Sequence, residues 1–261
     1  MGNRSRTGPP SLRGALLVWL RNAAVWRKSW RTSLVGSLGE PLFYFLGLGY
    51  GLGTLIPAVG GQPYLHYVAP GLLLTSTMYS ATIEATYSTF TKLEHQKVGE
   101  SMLLSPLTFA DVVLGELLWA ATKGLLSGTA VLALGIAWGV FPPWFGVVGL
   151  GLGAAAGLIF GCMGLVVTSL ARGYDSFNYY FTLIISPMFF FSGVFYPIRG
   201  LGAWVEGIAW IFPLTHLVKA ARALLHGDFG SPLWGELAWI AVFGAGVFLA
   251  ARWALARRFA P

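Results

Sequence analysis

Apolar residues run along this chain in long blocks, and the breaks between the blocks carry Pro, Gly and charge. Six blocks, 34–56, 66–90, 110–140, 144–170, 177–195 and 233–254, come close to or exceed the roughly 20 residues a helix needs to cross a bilayer. They predict an all-α membrane protein with six transmembrane helices. Glu40-Pro41 near the start of the first block predicts a kink or a displaced helix start, because Pro cannot donate to the helical ladder. The breaks at 57–63 and Pro142-Pro143 carry no charge and predict external turns. Residues 196–232 hold only two short apolar pieces, split by Pro213 and ended by a Gly/Pro-marked stretch. Neither is long enough to cross, which predicts external or re-entrant half-helices, tolerated at membrane depth only when buried in protein.

Two segments are amphipathic. Over 11–31, Leu16, Trp19, Leu20, Trp26 and Trp30 interleave with Arg13, Arg21, Arg27 and Arg31. That pattern predicts a basic helix at the headgroup level, with a plain solvated linker as the alternative. The stretch 91–105 is the one substantial charged segment between blocks, through Lys92, Glu94, His95, Gln96, Lys97 and Glu100, and it ends on Met102, Leu103 and Leu104. It predicts a short helix parallel to the membrane, presented to a cytoplasmic partner; the alternative is a solvated loop.

Composition agrees with the pattern. Hydrophobic residues make up 56% of the 261 and charged residues 10%, whereas soluble domains carry about a quarter charged residues. The net charge of +7 does not form a nucleic-acid face: basic residues gather before Glu40, within 91–105, at Arg172 and at the end of the chain. This is the distribution that keeps basic loops in the cytoplasm, so both termini are expected there, in a bacterial inner membrane. The block 14–20 is short and Arg21 follows it, which argues against a cleavable signal. With no linker or low-complexity tract, the chain reads as one transmembrane domain spanning 1–261.

Candidate chemistry narrows the function further. No Gly-Lys dipeptide occurs, which excludes a Walker A phosphate loop. No His, Cys, Asp or Glu group has metal spacing, no Gly-x-Ser-x-Gly elbow is present, and the single Cys162 lies in a Gly/Leu-rich run as a small buried residue. No catalytic constellation is visible. The glycines at 47, 49, 51 and 53 suit close helix packing or local unwinding. Glu84, Asp111, Glu116 and Lys123 fall inside apolar blocks, where charge is costly and marks a functional hypothesis. Glu84 shares a helical face with Thr77, Ser80, Tyr87, Ser88 and Thr91, so this stripe is expected to face protein or water. Lys123 is expected to pair with Glu84 in preference to Glu116, which lies about 10 Å away along the helix axis. A structural ion pair and a functional charge network are equally open readings.

The order of elements resembles the type-2 permease family of ABC transporters. Pro213-Leu-Thr-His216 with Arg222 resembles the end of its C-terminal signature, and Phe191-Ser-Gly-Val-Phe-Tyr-Pro197 resembles the preceding part, with Phe191 departing from the small or aliphatic residue expected. Tyr67-Val-Ala-Pro-Gly71, Glu100-Ser-Met-Leu-Leu-Ser-Pro106 and Asp111-Val-Val-Leu-Gly-Glu116 are similar to the nodulation protein J branch, permeases for lipo-oligosaccharide export. The resemblance implies a pair of permeases over two separate ATPase subunits that hold ATP and Mg, with no cofactor in this chain. It implies that 91–105 is the coupling helix, that spans one, two and five line the path, and that Phe189, Phe190, Phe191 and Tyr196 lie near the external gate. An ion-driven transporter using Glu84, Glu116 and Lys123 and a membrane-embedded enzyme are the competing readings. The amphiphile itself is not specified by the sequence.

Overall fold

A computed structural model describes residues 10–31, 39, 43–56, 58–98, 106–198 and 200–259. About four-fifths of these residues are helical. We number the helices α1 (Leu12–Arg27), α2 (Phe43–Leu55), α3 (64–95), α4 (Phe109–Ala137), α5 (Phe145–Leu170), α6 (175–191), α7 (Ala203–Ile211), α8 (Pro213–Leu225) and α9 (Ser231–Phe259). Ala58–Val59 and Gln62–Pro63 form a small antiparallel hairpin before α3. Gly60 and Gly61, at φ 61° and 81°, make its two-residue turn, a geometry that favours glycine.

Local chemistry sets the helix starts. Ser11 caps α1 by accepting from the Gly14 N–H at 3.0 Å. Thr108 and Asp111 form a reciprocal capping box at the head of α4. Phe212 is extended and Pro213 opens α8, since the residue before a proline avoids the helical region. The expected break at Pro213 therefore separates two short helices, which meet at 93°.

The core is α3, α4 and α5 packed together, with α1 on α4 and α9 on α5 and α8. Small residues allow the close approach. A Cβ at Gly157 would lie 2.9 Å from the Ala121 carbonyl oxygen, and one at Gly124 would lie 2.8 Å from that of Thr77. α3 is buried without a break from Tyr67 to Met78, enclosed by α4, α5 and α8. Because it faces protein, it tolerates Thr and Ser whose hydroxyls donate to its own carbonyls, Thr77 to Leu73 and Thr86 to Thr82.

Three described helices, Phe109–Ala137, Phe145–Leu170 and Ser231–Arg258, are long and apolar enough to cross a membrane, and α7 with α8 would be a fourth only if the bent pair is one span. The remaining expected spans are more polar or interrupted. α2 carries a π-helical turn at Gly47–Leu52, α3 carries two at Glu84–Ser88 and Thr91–His95, and α6 carries one at Phe181–Ile185. Among the described residues α4, α5 and α9 carry none. The Glu40-Pro41 pair lies outside the described residues.

Candidate functional site

The polar stripe of α3 ends in a buried charge cluster. Lys92 Nζ lies 2.7 Å from Glu116 Oε2 and 3.1 Å from Glu84 Oε1. Glu84 Oε1 also accepts from Ser88 Oγ at 2.7 Å and from the Trp119 indole N–H at 3.0 Å. Glu116 Oε1 accepts from Asn22 Nδ2 at 2.9 Å, and Thr89 Oγ1 donates to Glu116 Oε2 at 3.4 Å. The cluster thus joins α1, the tail of α3 and α4. Its charges persist away from bulk water because each carboxylate has a cation and several donors.

This arrangement corrects the expected pairing. Lys123 does not bridge to Glu84 or Glu116; its ammonium stands 5.4 Å from the Trp26 ring centroid, while its backbone carbonyl accepts from Ser80. The cation between the carboxylates is Lys92, which the sequence placed in the segment presented to a cytoplasmic partner. The helix of the second span does not stop near 90 but continues to His95 through two π turns, and Lys92 points back along it to Glu84, eight residues earlier. Asp111 stands apart from the cluster. It caps α4 and accepts from Ser11 N at 2.6 Å and Ser11 Oγ at 3.0 Å, so one carboxylate serves the starts of both α1 and α4.

α1 is docked lengthwise. Ser11 meets Asp111, Val18 meets Gly115, Asn22 meets Glu116, and the Trp19 indole donates to Thr122 at 2.9 Å. From Ser11 to Asn22 these contacts advance together along both helices, over roughly 8 Å of the α4 axis, and the Trp19 indole reaches further along α4. Leu12, Leu16, Leu17 and Leu20 remain exposed on the outer face.

The other residues expected to couple to a partner divide. Glu94 pairs with Arg258 Nη2 at 2.5 Å, which ties the tail of α3 to the end of α9. Arg258 also donates to the carbonyls of Thr168, Ser169 and Ala171 that close α5. His95 stacks on Tyr174 with ring centroids 5.6 Å apart. Gln96 and Lys97 are exposed, and Lys97 turns the chain at φ 49°. Thr91–His95 is thus the end of α3 and not part of a separate helix; Glu100 and most of the remainder of that segment lie outside the described residues.

At the other end of the bundle, Phe189 is buried and packs edge-on to Phe195 at 4.7 Å, with Tyr79 of α3 at 5.7 Å and Tyr44 of α2 at 6.0 Å. Phe190 is exposed, and Phe191 and Tyr196 are half-buried. Arg222 lies over the Tyr67 ring at 3.8 Å and donates to the carbonyls of Tyr67 at 3.0 Å and Val194 at 3.2 Å. Tyr67 neighbours His66, whose carbonyl loses its helical donor to Pro70. His216 is held between the Trp210 carbonyl and the Glu236 carboxylate and stacks on Trp239 at 3.8 Å. The signature residues Pro213, His216 and Arg222 therefore lock α8 against α3, α7 and α9. Asn22, Trp119, Glu236 and Arg258 escaped the sequence reading; an amide amid arginines at position 22 was the only local signal.

An all-α bundle with several apolar spanning-length helices and charge buried where those helices meet is a multi-pass membrane protein. The chain belongs to the ABC-2 type transporter family, which matches residues 15–226. It is similar to nodulation protein J of Rhizobium leguminosarum bv. trifolii, with 40% identity over 213 residues, 81% of each chain. It is also similar to nodulation protein J of Rhizobium meliloti, with 37% identity over 219 residues, 84% of this chain and 82% of that one. The inner membrane transport permease YadH of Escherichia coli is 24% identical over 250 residues, 93% of this chain and 96% of that one.

Proposed function

We propose that this chain is the membrane subunit of an ATP-driven exporter that moves a lipo-oligosaccharide, glycolipid or polysaccharide-lipid from the cytoplasmic side. The observation that carries the reading is the 37–40% identity to nodulation protein J proteins over about four-fifths of both chains. Two copies would pair, and two ATPase subunits holding ATP and Mg would dock below. In this reading α2, α3, α4, α5, α6 and α9 are the six spans, α1 is the interfacial helix, and both termini face the cytoplasm of a bacterial inner membrane. The helices carrying π turns, α2, α3 and α6, line the path, with Phe189, Phe190, Phe191 and Tyr196 at its external gate; π turns recur at functional positions in helices.

Residues 91–105 serve coupling. Because α3 runs unbroken to His95, a push on the exposed Gln96 and Lys97 reaches Lys92, and through it α4 and α1. Glu94 would convey the same push to α9. The test is reconstitution of the permease with its ATPase in vesicles, following ATP-dependent movement of a fluorescent lipo-oligosaccharide. Transport that needs both ATP and the second subunit supports the proposal. Movement driven by a proton gradient with the permease alone would replace it with an ion-driven carrier.

A further inference from the structure

α1 packs on α4 through Gly14, Ala15 and Val18, and the same face then borders a cavity of about 520 Å³ along its last two turns. Arg21, Trp26, Glu84, Lys92, Trp119 and Lys123 stand in its wall. The negative charge here is already committed. Glu84 accepts from Ser88, Trp119 and Lys92, and Glu116 behind it accepts from Asn22, Lys92 and Thr89. The positive charge is not. Arg21 spends one N–H on Asn22 Oδ1 at 3.0 Å. Among the described residues neither Arg21 nor Lys123 has a carboxylate within 4.0 Å. Trp26 keeps a buried indole N–H without an acceptor among the described residues.

Three cations, Arg21, Lys92 and Lys123, therefore stand against two carboxylates, Glu84 and Glu116, at this cavity, and an anion with several acceptor oxygens matches the surplus. We propose that this cleft binds a phosphate group, presented as the headgroup of an anionic lipid from the adjoining leaflet. Val25 at the cleft wall, with Leu17 and Leu20 exposed within about one turn of Arg21, offers the lipid's acyl chains an apolar surface. The cleft shares Lys92 and Gln96 with the coupling segment, but binding is read on the permease alone, so its test needs neither transport nor an ATPase.

Full-length permease in a neutral detergent is titrated with phosphatidylglycerol, phosphatidylcholine or inorganic phosphate, with retained ligand read by native mass spectrometry and by the thermal midpoint. Phosphatidylglycerol is expected to be retained in preference to phosphatidylcholine. The double variant Arg21→Gln/Lys123→Gln should lower that retention by about tenfold or more, since each cation near a lipid surface contributes separately. Arg13→Gln on the outer face should leave it unchanged, and Lys123→Arg should retain it. Should the double variant fail to fold, Lys123→Gln alone against Lys123→Arg decides the point. Inorganic phosphate acting alone, with the same dependence on Arg21 and Lys123, would support the phosphate site while reassigning its source to the soluble ion. Equal retention of the two lipids with no phosphate response overturns the proposal, and so does a preference that survives the double variant or is lost equally in Arg13→Gln.

Discussion

Lys92 and Glu116 lie 24 positions apart and meet at 2.7 Å, with the Glu116 side chain almost wholly enclosed. The tail of α3 is thereby fastened to α4 at the point where α1 also joins through Asn22.

Breaking that contact from one side leaves a buried charge without a partner. Lys92→Met should destabilise the protein by about 3–5 kcal/mol, the scale for removing one member of a buried pair. Adding Glu116→Gln should recover part of the loss. Lys123→Met should cost clearly less than Lys92→Met, because no carboxylate of the described residues lies within 4.0 Å of Lys123. Thermal or denaturant unfolding in detergent measures all three; a larger loss at Lys123 than at Lys92 would contradict the geometry.

Gly157 faces the backbone of α4, with the Ala121 carbonyl 2.9 Å from where a Cβ would stand. Backbone cannot move aside as a flexible side chain can. Gly157→Ala should therefore cost about 1–3 kcal/mol through overpacking. Gly151→Ala in the same helix, with open space around it, should be neutral or slightly stabilising. The comparison of their thermal midpoints checks the closeness of α4 and α5.

Arg222 serves two carbonyls on different elements at once. Arg222→Met should cost about 1–3 kcal/mol for the acceptors left without donors. Arg222→Lys should recover little, since an ammonium lacks the planar fork that spans both oxygens and stacks on Tyr67. Hydrogen exchange should report the loss first in α8 and the start of α3.

Lys97 is exposed, and charge reversal at such positions normally changes stability by less than about 0.5 kcal/mol. Lys97→Glu should leave expression and monodispersity intact and abolish ATP-dependent transport in the reconstituted complex. Glu94→Lys differs, because it also opposes Arg258. It should loosen the end of α9 in hydrogen exchange as well as reduce transport. Unchanged transport in both variants would remove the coupling role of this segment.

The permease alone should neither bind nor hydrolyse nucleotide, because no phosphate loop is encoded. Equilibrium dialysis with labelled ATP tests this directly, and saturable micromolar binding by the isolated chain would sink the separate-motor reading.

The all-α class, the helices from 109 to 137 and from 145 to 170, and the break at Pro213 were legible in the sequence, because hydropathy and proline geometry act through nearest neighbours. Low charge, the missing phosphate loop and the basic N-terminal segment were equally local. Partner choice was not. Glu84 and Glu116 stood out as costly charges, yet periodicity could not say which cation reached them. Two π turns shift the register of α3 beyond Ile83 and return Lys92 to the bundle. Ser11 and Asp111, and Glu94 and Arg258, are joined only because helices distant in sequence run side by side. Hydrophobic pattern determines which segments become helices; burial makes each charge depend on whichever donor or cation the packed neighbours bring within about 3 Å, and only the tertiary structure decides that.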